Sequence, residues 1–139
     1  MKALTKNLIY FAIFFFLGTI IFRYSLSHFL ENSDYNWVWI VAAIYFFYNF
    51  SIGWIFGKRD YETLPLFDVG FRFHFVTYLI FNAVSLLWFV IGFHSHVESI
   101  RTIYLTALFW GIGLLIHFIF YLIAQKNSIN GLSREDIFE

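Results

Sequence analysis

Charge is scarce in this chain: Asp, Glu, Lys and Arg make up 13% of 139 residues, against about a quarter in a soluble domain. Cysteine is absent, which removes disulfides, thiolate chemistry and cysteine-held iron–sulfur clusters together. A single proline and eight glycines leave little to interrupt a helix, so the broken helices of many transporters are not expected. Net charge is zero at pH 7, so nothing favours nucleic acid as a partner.

The charge that exists is kept out of four stretches. Leu8–Phe22, Tyr35–Gly57, Phe73–Phe93 and Thr102–Gln125 hold no Asp, Glu, Lys or Arg at all. A soluble helix of that length needs a charged face toward water. About 20 apolar residues instead match the roughly 30 Å hydrocarbon core of a bilayer at about 1.5 Å per residue. The sequence therefore predicts an all-α integral membrane protein, a four-helix bundle forming one domain over residues 1–139. Its spans are expected at about 8–30, 35–57, 73–93 and 102–125, with a tail at 126–139. The first stretch resembles a secretory signal, with Lys2 and Lys6 before an apolar run and then Ser25 and Ser27. It is expected to stay as the first span, lengthened by Tyr24, Leu26, Phe29 and Leu30 while Arg23 snorkels toward headgroups.

Basic residues vote on orientation. Lys2, Lys6, Lys58, Arg59, Arg72, Lys126 and Arg134 fall on one side of the predicted spans, and only Arg23 and Arg101 on the other. The positive-inside rule then puts both termini in the cytoplasm. Tyr and Trp gather toward the span ends as interfacial anchors, while 21 Phe spread throughout for lipid contact and ring packing. The Lys58–Arg72 segment, with Tyr61, Leu64, Leu66 and Phe67, suits a stretch lying in the interface. Ser133 and Asp136 in the tail come near a capping box. Ile137 and Phe138 there favour a return to the interface over a docking surface.

Inside the spans a few polar groups stand out. Counted from a boundary near Gly57, Phe73 and Gln125, Asn49, Asn82 and His117 lie about 12–14 Å deep. An unpaired amide or imidazole in hydrocarbon is costly, so these three are expected to turn inward and bond to one another, to Ser51, to a hydroxyl such as Tyr45 or Tyr78, or to a trapped water. His74, Tyr78 and Asn82 recur every four residues and share a stripe; Trp110, Gly113, His117 and Tyr121 do likewise. A clasp that sets helix register is the expected role. A proton or ligand site at His117 is the alternative, weakened because no intramembrane carboxylate or lysine completes a relay. No cofactor is expected: His74 and His117 differ in depth by about 9 Å, too much to face one haem iron. Gly53 and Gly57 form a G-x-x-x-G pair suited to close helix contact.

The second half carries a pattern at fixed spacing. Phe71, His74, Tyr78 and Asn82 read F-x-x-H-x-x-x-Y-x-x-x-N, and Trp110, Gly111, Gly113 and His117 follow on the fourth span. Over residues 71–124 this resembles the bacterial 2TM domain family. The resemblance implies a membrane module found beside or within signalling proteins, with no catalytic residue.

The two outer loops concentrate His28, Glu31 and Asp34, then His94, His96 and Glu98. His94 and His96 can point both rings at one ion, with Glu98 or His28 completing a set suited to zinc, copper or nickel. The same residues suit pH sensing, and a plain solvated loop is the ordinary case. With no nucleophile–base set, catalysis is not expected. The sequence points to a small multi-pass protein of the bacterial inner membrane, partnered by the bilayer and by another membrane protein or a second copy. Such a protein acts through helix contacts as an accessory or assembly subunit or a sensory module. The alternative is a ligand- or metal-responsive protein, or a minor transporter or enzyme.

Overall fold

The computed structural model describes residues 4–62, 64 and 66–130. Four helices follow in order: α1 (Lys6–Glu31), α2 (Tyr35–Tyr61), α3 (Leu66–Ile91) and α4 (Ile100–Asn130). Their candidate spans run 24 to 27 residues, long enough for the hydrocarbon core with some tilt. This is a multi-pass membrane protein built as four packed apolar helices. The tail residues Ser133, Asp136, Ile137 and Phe138 lie outside the described residues.

Chain direction alternates. Phe11 meets Phe73 with ring centroids 4.6 Å apart, and Ser27 meets Trp88 at the far end, so α1 and α3 run the same way. Lys6 and Asn130 consequently lie at one end, the basic end, with Lys58 and Arg59. The histidine-bearing turn and loop lie at the other.

α1 is the centre of the packing. It contacts α2 and α3, which also touch each other, whereas α4 contacts α3 alone among the described residues. The reason is written in the buried stripe of α1: Leu8, Phe11, Phe15, Thr19, Arg23 and Ser27, a three-then-four spacing that keeps one face inward. Leu8, Phe11 and Phe15 join Ile52 of α2 as the apolar core, with Phe73, Val76 and Ile80 of α3 packed against it. Elsewhere the surface is apolar. Trp39, Phe46, Phe47 and Phe50 of α2, and Leu108, Phe109, Leu115 and Phe120 of α4, are exposed, as suits side chains whose solvent is acyl chain.

The connections are tight. The α1–α2 turn and the end of α3 are both Schellman motifs. In the first, Ser33 takes the left-handed position (φ 58); its N–H donates to Leu30 O and that of Asp34 to Phe29 O. In the second, Gly92 (φ 84) donates to Phe89 O and Phe93 to Trp88 O, and the Trp88 and Phe93 rings meet at 5.3 Å. At the basic end, Thr5 caps α1 by accepting from the Leu8 N–H at 3.1 Å and donates its hydroxyl to Asp60. Asn7 donates to the other Asp60 oxygen at 2.8 Å.

One expectation is sharpened and one corrected here. Most of residues 58–72 is helical, since α2 continues through Tyr61 and α3 starts at Leu66. Arg23 does not snorkel. It sits on the inward stripe, 5% exposed, because a carboxylate awaits it there.

Candidate functional site

A buried polar network closes the histidine-bearing end. Arg23 reaches from α1 to Glu98 of the α3–α4 loop, guanidinium to Oε1 at 2.7 Å, with 7% and 8% of the side-chain surfaces exposed. Glu98 Oε2 accepts from the Ser27 hydroxyl at 2.6 Å and from the Ser95 N–H at 2.9 Å. The Ser27 oxygen in turn accepts the Trp88 indole N–H at 3.0 Å. Two faces of one carboxylate thus gather α1, the end of α3 and the loop. Each bond in such a chain polarises the next in a medium of low dielectric. Ion pair and hydrogen bonds together answer the cost of taking both charges out of water. Within this network Arg23 Nε is buried without a partner.

Beside the network opens a cavity of about 570 Å³, lined by Tyr24, His28, Glu31, Trp88, Phe93, His94 and His96 among others. Its histidines are already engaged, each in a different way. The His96 ring meets Glu31 at 2.8 Å, and its N–H bonds the same oxygen at 3.0 Å. His94 stacks on Phe89 at 4.2 Å. His28 lies between Tyr24 and Phe29. Glu98 belongs to Arg23 and Ser27. Among the described residues no group of three or more metal-capable side chains converges, so His28, His94, His96 and Glu98 do not form the shared set that their closeness in sequence allowed.

The intramembrane polar residues fall into two separate places. On the α3–α4 seam, the His74 and His117 rings meet at 5.3 Å, and a Cβ at Gly70 would stand 3.5 Å from His117 Nε2. Further along, Tyr78 donates to Ala107 O at 3.2 Å and packs against Trp110. Asn82 donates to Tyr78 O in its own helix, and its Oδ1 is buried without a partner. His117 therefore lies level with residues 70–74, so the depth difference expected between His74 and His117 is not found, and Asn82 is about two turns or more away. The expected single layer does not assemble. Depth counted from the ends of charge-free runs misleads, because α3 begins at Leu66 while α4 runs on to Asn130. Side-chain contacts set the register.

Asn49 is apart from both histidine rings of that seam as a bonding partner. It lines a groove of about 560 Å³ between α2 and α3 with Gly53, Gly57, Lys58 and His74, and its Oδ1 is buried and unpaired. Ser51 bonds Phe47 O in its own helix, and Tyr45 meets Thr19 at 2.9 Å and bonds the Asn49 side chain, as expected of that amide. Gly53 has only Phe11 nearby, and Gly57 has nothing within 4 Å, so the G-x-x-x-G pair faces the groove. Of the fourth-helix glycines, Gly111 receives Tyr78, whose hydroxyl would be 3.2 Å from an added Cβ, while Gly113 faces open space. The interface follows Ala107, Gly111, Phe118 and Tyr121, which leaves Gly113 on the flank.

Arg23, Ser27, Trp88, Ser95 and Glu98 were not foreseen as one unit. A signal existed. Arg23 is the one Lys or Arg inside the spans read from the sequence, and Glu98 the only acid of residues 92–99; a charge within a span calls for a counter-charge. Comparison with known proteins returns no match, whether among family models, curated proteins or solved structures.

Proposed function

We propose that this is a non-enzymatic protein of the bacterial inner membrane, with both termini in the cytoplasm, that works through helix contacts. Its role is that of an accessory or assembly subunit, or a sensory module, of a membrane complex. One observation carries the reading: α4 is joined to the body through α3 alone, so most of its circumference is free for another helix. Gly113 lies on that free flank with nothing within 4 Å, and small residues let helix backbones approach closely in lipid. The part from Phe71 to Ala124 that resembles the 2TM domain contains most of this helix, and belongs to the proposal on that footing.

Replacing Gly113 with the photo-crosslinker benzoylphenylalanine in native membranes tests it. A discrete protein adduct, heterologous or a second copy, is expected there. The same probe at Trp39, 77% exposed on α2, serves as the lipid-facing reference. Lipid adducts alone from both positions overturn the reading.

The cavity beside Arg23–Glu98 favours a second reading, response to a ligand arriving at the histidine-bearing end. A ligand there touches the loop that Glu98 ties to α1.

A further inference from the structure

The groove between α2 and α3 at the basic end combines three features that the helix-contact reading leaves unused. Lys58 and Tyr61 stand at its mouth, Gly57 and Gly53 line its wall, and His74 and Asn49 lie further in. Lys58 is exposed and has no carboxylate or hydrogen-bond partner among the described residues. Gly57 leaves the wall open to at least 4 Å. The inner part is not dressed for hydrocarbon, since His74 lines it and is exposed. A polar group left so in a bilayer calls for a polar occupant.

Spacing along the groove narrows the chemistry. Lys58 and Gly53 are five residues apart, about 7.5 Å of helix, and Asn49 is one turn deeper. An occupant must therefore offer an anion at the membrane surface, hydrogen-bond acceptors just beneath it, and hydrocarbon beyond. We propose that this groove holds one anionic glycerophospholipid, with its phosphate on Lys58 and an ester carbonyl accepting an N–H from His74. The headgroup and glycerol fill the groove, and the acyl chains leave along the exposed α2 surface at Phe50 and Trp54. A basic pocket between membrane helices is a known physical basis for holding such headgroups. The proposal does not depend on what α4 contacts.

The test is retention of added lipid by delipidated protein in non-ionic detergent, read by native mass spectrometry. Phosphatidylglycerol and phosphatidylcholine with the same chains are compared. The wild type is expected to prefer phosphatidylglycerol by about fivefold, the worth of one basic side chain near a membrane surface. Lys58→Gln removes that preference, whereas Arg59→Gln, next to it but outside the groove lining, retains it. Gly57→Phe puts a ring into the groove from a position where an added Cβ meets nothing within 4 Å, and lowers phosphatidylglycerol retention with Lys58 intact. Equal retention of both lipids by the wild type overturns the proposal. So does an equal loss on changing Arg59, or an unaltered preference in Gly57→Phe, since the lysine then acts only as surface charge. All three positions are exposed or bordered by open space, so folding of the variants is expected and is checked by helicity.

Discussion

Arg23 and Glu98 hide more than nine-tenths of their side chains from solvent, and neither charge is stable there without the other. Removing one partner of a buried pair costs about 3–5 kcal/mol, because the survivor is left charged and unanswered. Removing both costs less than the sum. Arg23→Met and Glu98→Gln should each destabilise by that order, while the double variant falls short of additivity by about 1–3 kcal/mol. Reversible unfolding in mixed micelles gives the cycle directly. A coupling near zero would show that the two groups are not paired in the folded protein. The pair was half legible in the sequence: a lone arginine in a span advertises a partner. Its identity was hidden, because Glu98 lies 75 residues away in a loop where an acid is ordinary.

Helix α1 shows how one element serves two kinds of packing. Its inward stripe is apolar from Leu8 to Phe15 and polar from Thr19 to Ser27, so one face supplies the core at one end and the ion pair at the other. On a neighbouring face Gly18 accommodates α2. A Cβ there would stand 2.3 Å from Tyr48 Cε1, and Tyr48 donates its hydroxyl to Phe14 O at 2.8 Å. Gly18→Ala must therefore expel the Tyr48 ring and break that bond, at a cost of about 1–3 kcal/mol. In a Tyr48→Ala background the same change should cost almost nothing, which unfolding of the two pairs would check. A full penalty in that background would place the clash elsewhere. Gly18 was not among the glycines that sequence spacing marked. G-x-x-x-G singled out Gly53 and Gly57, which face a groove, because spacing says which residues share a face and not which face meets a neighbour.

At the scale of the whole molecule, four alternating helices bring Lys6 and the end of α4 to the same end as Lys58. With seven basic residues grouped on that side in sequence, reporter fusions at the two termini and within residues 62–65 are expected in one compartment, the cytoplasm. A fusion at residues 32–34 is expected on the opposite side. Termini on different sides would contradict the four-crossing arrangement itself. The packing also differs from a closed bundle in which each helix shares one core: α4 stands beside α3 only. In lipid this carries little penalty, since an apolar side chain is as well solvated by acyl chains as by another helix. The same fact explains why hydrophobicity, so informative about which segments cross, was silent about how they pack.

Four charge-free runs, by themselves, determined that this chain crosses a membrane as helices. The backbone must satisfy its own hydrogen bonds in hydrocarbon, and length and composition are enough to meet that demand. Only the tertiary structure decided which polar groups meet: Arg23 with Glu98, His74 with His117, Thr5 with Asp60, and Asn49 with a groove. Those pairings depend on helix rotation and on the stagger between neighbours, and side-chain contacts between elements far apart in sequence set both. Periodicity along one helix carries no record of either.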